Sequence, residues 1–265
     1  MERRASDILR QTLVISSAGF MLVAALIGSG VFGEDASVEQ QQGGSLSDQG
    51  SYLAPAGPAF SIWSVIYLGL LAYVVWQALP AQRDDERQRA VGGWIAASMV
   101  LNGLWLVAAR FGPLWSTVLV IVALLVVLAR VMVLLGQKRA TGFAQRVLVD
   151  GANGLHFGWV TIATVANTAA WLSAVAPDSW EQLAGIWGVV VLVLVAVICS
   201  VCAWLLGRIV PAVASAWGLA WLAVGRFTDE PQSAVIGVTA IIVAVVILIV
   251  GVFAVLRGGA DARHG

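Results

Sequence analysis

Phe60, Trp63, Tyr67, Leu70, Val74 and Gln77 recur at intervals of three or four residues. A helix advancing about 100° per residue lines them up on one narrow face. Trp94, Ser98, Asn102, Trp105 and Ala109 form a second stripe. Asp150, Asn153, His156, Thr164, Asn167 and Trp171 fall within about 120° on a third, with Trp159 at its border. Indole and phenol faces stack on flat π systems, each pair adding about 0.5–1.5 kcal/mol beyond the area it buries. A few amides and an imidazole among them would orient such a ligand by hydrogen bonds, the usual make-up of a small-molecule site. The plainer account is helix packing, in which an interhelical hydrogen bond is worth about 0.6 kcal/mol. Polar groups in apolar helices are costly and face a bundle interior or a cavity, so three such stripes favour a pocket.

Other chemistry is weaker. His156 could hold a haem or a metal, but no second His or Cys stands at ligand spacing. It reads as a hydrogen-bonding pocket or packing residue. Cys199 and Cys202 have C-x-x-C spacing, which in a soluble chain suggests zinc or redox chemistry. No second pair completes a site and the surrounding run is apolar, so they read as small packing residues. No nucleophile–base pair, phosphate loop or metal cluster is legible, so no catalytic residue and no metal ligand is assigned.

The elements that must position these stripes follow from composition. The chain has 265 residues, 60% hydrophobic and 11% charged, with a mean hydropathy of +0.89. That is a polytopic membrane protein. The net charge of zero gives no electrostatic case for nucleic acid. A bilayer core needs about 20 apolar residues per helix. Eight segments qualify: 11–33, 59–79, 91–110, 114–135, 147–175, 183–207, 209–225 and 234–256. Only helices satisfy their own backbone in lipid when no barrel is formed, so the fold class is an all-α transmembrane bundle. Arg3 and Arg4 precede a first run too long for a secretory signal, which reads as a retained helix.

Alternate loops and termini carry Arg3, Arg4, Arg10, Arg83, Arg87, Arg89, Lys138, Arg139, Arg146, Arg208, Arg257 and Arg263, twelve of the fifteen basic residues. The positive-inside rule then puts both termini in the cytoplasm of a plasma-membrane protein. Arg130 can snorkel to that side, and Arg110 and Arg226 are left opposite. This topology needs a tight turn at 207–211, where Pro211 suits a helix's first turn. The external loop 34–58 holds Glu34, Asp35, Glu39 and Asp48 and no basic residue. A loop that long is a functional lid or disordered. Trp76, Trp94, Trp115, Trp171, Trp180, Trp187 and Trp204 lie near span ends, where an interfacial belt accounts for them.

Two internal echoes suggest assembly from repeated hairpins. Gly93-Trp94-Ile95 precedes Asn102 as Gly158-Trp159-Val160 precedes Asn167, and "WLVAARF" at 105–111 echoes "WLAVGRF" at 221–227. Coincidence in a small alphabet is the alternative. Gly154-x-x-x-Gly158 marks a place where the fifth helix can approach a neighbour closely.

These motifs resemble the TspO/MBR family, the tryptophan-rich sensory proteins that include the translocator protein. The likeness rests on Pro55-Ala56-Gly57-Pro58 before Phe60, Trp63 and Tyr67, on Leu101, Asn102 and Trp105, and on Trp159, Val160 and Asn167. It covers about residues 10–175. Pro58 stands where the family often has Trp, Phe60 is one residue nearer Trp63 than usual, and His156-Phe157 occupies the usual Pro-Tyr position. The last three helices have no counterpart in five-helix members. The resemblance implies a five-helix core over 1–175 with the lid 34–58, followed by three additional helices and a short cytoplasmic tail over 176–265.

It also implies a pocket for a porphyrin or haem and roles in tetrapyrrole handling. Stripes and motifs together nominate Phe60, Trp63, Tyr67, Asn102, Trp105, His156, Trp159 and Asn167 as ligand-binding residues. The expected function is a binding or sensory membrane protein for a flat hydrophobic ligand, with no required cofactor. The rival is a small-molecule secondary transporter, for which Asp150 is the only acidic residue within a span. An enzyme acting on the bound tetrapyrrole ranks last. The expected partners are the lipid bilayer and a small hydrophobic ligand, with a homodimer left open.

Overall fold

Asp85 stops the chain from extending past it and starts a helix: its carboxylate accepts the amide of Gln88 at 2.8 Å. This N-cap satisfies a donor the first turn would leave bare. The helix therefore begins at Glu86, ahead of the apolar run expected from 91. The computed structural model describes residues 2–28 and 38–264. Its eight long helices are α1 (Glu2–Gly28), α2 (Ile62–Ala78), α3 (Glu86–Phe111), α4 (Leu114–Gln137), α5 (Ala152–Val175), α6 (Ala184–Leu206), α7 (Val210–Thr228) and α8 (Ala234–His264). No strand occurs among the described residues. Residues 29–37, with the end of the expected first span and with Glu34 and Asp35 of the loop, lie outside them.

All the long helices except α5 are apolar and long enough to cross a membrane. α5 has the length but carries Asn153, His156, Thr161, Thr164, Asn167 and Thr168. The chain is an all-α polytopic membrane protein. The α6–α7 turn is present: Gly207, at φ 61°, ends α6, and Pro211 lies in the first turn of α7. One face of α6 presents Ile186, Val190, Val193, Val197, Val201 and Leu205 outward, all at least half exposed. Such a surface suits acyl chains and not water.

The chain packs as two compact units, residues 1–38 with 61–157, and 39–60 with 158–265. In the first, α3 packs against both α1 and α4, and α2 packs on α1 and on the π-helical turn Gln145–Gly151. One end of this unit holds a buried polar network. Arg89 grips Asp7 with two hydrogen bonds of 2.8 and 2.7 Å. Arg10 donates to the carbonyls of Gln82 and Arg83 and to the Gln77 side chain. Arg87 pairs with Asp150 and donates to the Lys138 carbonyl at 2.9 Å. Tyr73, fully buried, donates to Gln88 at 3.1 Å. Buried charges persist only with such partners.

In the second unit α8 packs against both α6 and α7. The core joins Leu53, Ile162, Leu192, Leu219, Ile236 and Ile247. Leu53 comes from the loop, so residues 41–58 are not a disordered run but part of this unit. Arg226, 1% exposed, fastens them: it donates to the carbonyls of Asp48, Ser51 and Pro231. Ala56 N–H donates to the Trp221 carbonyl at 3.1 Å. α5 meets α7 at Gly158, where an added Cβ would lie 2.2 Å from the Pro211 carbonyl oxygen. The close approach expected of the Gly154–Gly158 motif is thus made to α7 at Gly158.

Candidate functional site

Close approach also positions the aromatic residues of the first unit. Gly69 on α2 faces Ala152 at the start of α5, where an added Cβ would stand 3.0 Å from the Ala152 Cβ. With the helices this near, residues a turn or two toward the α2 N-terminus meet the next turn of α5. Trp63 and Tyr67, four residues apart on α2, stack with ring centroids 5.4 Å apart and planes at 28°. His156 meets the Trp63 ring edge-on, centroids 5.8 Å apart at 69°. Asn102 on α3 donates its amide to the Tyr67 hydroxyl at 3.1 Å. Asn102 and His156 are buried, whereas Trp63 and Tyr67 are half-buried. Neither nitrogen of His156 makes a hydrogen bond. An imidazole carries a donor or acceptor at each nitrogen, and a buried group left unsatisfied costs about 1–3 kcal/mol.

In the second unit Phe60 and Trp159 pair edge to face, centroids 5.8 Å apart at 78°. Trp159 is 1% exposed. Asn167, eight residues further along α5, is buried, as is Trp105, three residues beyond Asn102 on α3. The eight nominated residues thus include one four-membered cluster in the first unit and one aromatic pair in the second. The α5 stripe is partly used by its own helix: Asn153 donates to the Val149 carbonyl and Thr164 to the Val160 carbonyl. Asp150 is taken by Arg87.

Residues 13–253 match the family model described as TSPO-like protein. The chain belongs to that family. No curated protein and no solved structure matches the chain significantly. The TSPO-like match begins within α1 and ends within α8. It runs beyond residue 175, where the motif resemblance stops, and takes in α6 and α7.

For a TSPO-like membrane protein, the first-unit cluster offers two stacked ring faces, one bonded amide–phenol pair and one imidazole with unused nitrogens. That set can grip a flat apolar molecule and engage one polar atom on it. Among the described residues no group of three or more His, Cys, Asp or Glu could hold a metal ion, and Cys199 and Cys202 are free thiols. Sequence periodicity missed Arg226 as a fastener of the loop. The signal available was its place, with Arg110, on the side opposite the other basic clusters. Trp180 and Trp187, which lie near span ends, also line a cavity in the second unit.

Proposed function

We propose that this TSPO-like protein is a binding or sensory membrane protein for a flat hydrophobic ligand, a porphyrin or another tetrapyrrole. The ligand lies against Trp63 and Tyr67, with His156 meeting its polar atoms and Asn102 holding the Tyr67 hydroxyl in place. The observation that carries this reading is His156, fully buried beside Trp63 with neither ring nitrogen hydrogen-bonded. A ligand that supplies the missing partner removes a cost that packing alone leaves standing. Family membership supports the same class of ligand. Trp105, buried on α3 three residues beyond Asn102, belongs to this proposal as a further wall residue; Phe60, Trp159 and Asn167, nominated from the sequence, lie in the second unit.

The proposed setting is the plasma membrane with both termini cytoplasmic, supported by the distribution of basic residues. A proton-coupled transporter has less support, because its one candidate carboxylate, Asp150, is ion-paired to Arg87. The test is titration of the purified chain with protoporphyrin, followed by tryptophan quenching. Saturable quenching that weakens at least tenfold in Trp63→Ala supports the proposal. Quenching that never saturates, and is the same in both proteins, refutes it.

A further inference from the structure

A cavity of about 570 Å³ lies within the second unit and shares no lining residue with the site proposed above. Its wall comes from residues 49–52, the end of α5, the turn Asp178–Leu183, the start of α6 and the α7–α8 connection. Tyr52, Trp180 and Trp187 supply three aromatic rings. Tyr52 and Trp187 stand edge to face, centroids 6.4 Å apart at 89°. The Trp187 indole N–H donates to the Trp180 carbonyl at 3.2 Å, tying the turn to α6. Glu181 and Glu230 line the same cavity, and among the described lining residues none is basic.

The nearby cation is Arg226, which lies behind the wall with its donors on the carbonyls of Asp48, Ser51 and Pro231. Asp48, Asp229 and Glu230 all interact with it electrostatically. Its charge is therefore more than balanced before Glu181 is counted. Aromatic faces attract a cation through their quadrupoles, most strongly when water is excluded. Two carboxylates beside those faces repel an anion such as a porphyrin propionate. The volume lies within the range of about 300–1,000 Å³ usual for small-molecule sites.

We propose that this cavity is a second site, one that binds an organic cation: an ammonium or phosphonium carrying apolar substituents. The charge sits by Glu181 and Glu230, and the substituents pack on Tyr52, Trp180 and Trp187.

The experiment uses the full chain in nanodiscs and calorimetric titration with tetraphenylphosphonium, with its near-isosteric anion tetraphenylborate as the control. Saturable binding of the phosphonium is expected, weakened about tenfold or more in Trp180→Ala and in the double variant Glu181→Gln/Glu230→Gln. The borate is expected to show no saturable binding. Trp180, Glu181 and Glu230 are exposed, so these variants should keep the parent melting temperature. If Trp180→Ala does melt early, the carboxylate double variant decides alone. No saturable phosphonium binding, equal binding of the borate, or unchanged affinity in the carboxylate variant would each overturn the proposal.

Discussion

His156 lies edge-on to Trp63, ring centroids 5.8 Å apart, and both imidazole nitrogens are buried without a hydrogen bond. In an apolar surround such an imidazole contributes nothing that a Leu or Phe would not contribute more cheaply. His156→Phe is therefore expected to keep or raise Tm in detergent, by up to a few degrees, while abolishing saturable porphyrin binding. Thermal melts and quenching titrations on the same sample check both halves. A variant that melts lower and still binds would place His156 in packing alone.

The Asn102–Tyr67 hydrogen bond of 3.1 Å joins α3 to α2. Tyr67→Phe removes the hydroxyl and leaves the ring stack with Trp63. Interhelical hydrogen bonds in membranes average about 0.6 kcal/mol, so stability should fall by roughly 1 kcal/mol or less. Ligand affinity should fall further if the phenol is held for binding. Comparison of unfolding and titration data for this one variant separates the two.

At Gly158 an added methyl would meet the backbone carbonyl of Pro211, which cannot swing aside as a side chain would. Overpacking of this kind costs about 1–3 kcal/mol, occasionally more. Gly158→Ala is expected to lower Tm clearly, whereas Gly136→Ala, with open space around its Cβ position, should not. Both are read from melts in the same detergent.

The helices were legible because lipid demands long apolar runs and because few side chains break them. Asp85 shows a limit: the polar start of α3 extends beyond the apolar run, and only the capping geometry reveals it. The site was legible in part. Spacing put Trp63 and Tyr67 on one face and Asn102 and His156 on two others, and the first-unit cluster joins those four. Periodicity cannot say which face meets which. Tyr73 is not among the α2 stripe residues Phe60, Trp63, Tyr67, Leu70, Val74 and Gln77, yet it is fully buried and bonded to Gln88. Arg226 reaches back 178 positions to Asp48, a contact no local pattern encodes. The motif resemblance stops at 175, whereas packing divides the chain inside α5, after Phe157.

Arg87 and Asp150 tie α3 to the π-helical turn before α5, with side chains 5% and 16% exposed. Removing one partner of a buried pair strands the other and costs about 3–5 kcal/mol. Asp150→Leu alone should be severely destabilising, and Arg87→Met/Asp150→Leu should recover much of that loss. Equilibrium unfolding of the two single variants and the double variant measures the coupling. Additive losses would mean that the pair is not coupled.

The chain has only two histidines, His156 and His264, so selective ¹⁵N-histidine labelling reports on the site with little overlap, and His264→Ala assigns the signals. Adding protoporphyrin to the labelled protein in nanodiscs should shift the His156 ring nitrogens saturably and leave those of His264 in place. His156 resonances unmoved at saturating porphyrin would contradict the proposal that this imidazole meets the ligand.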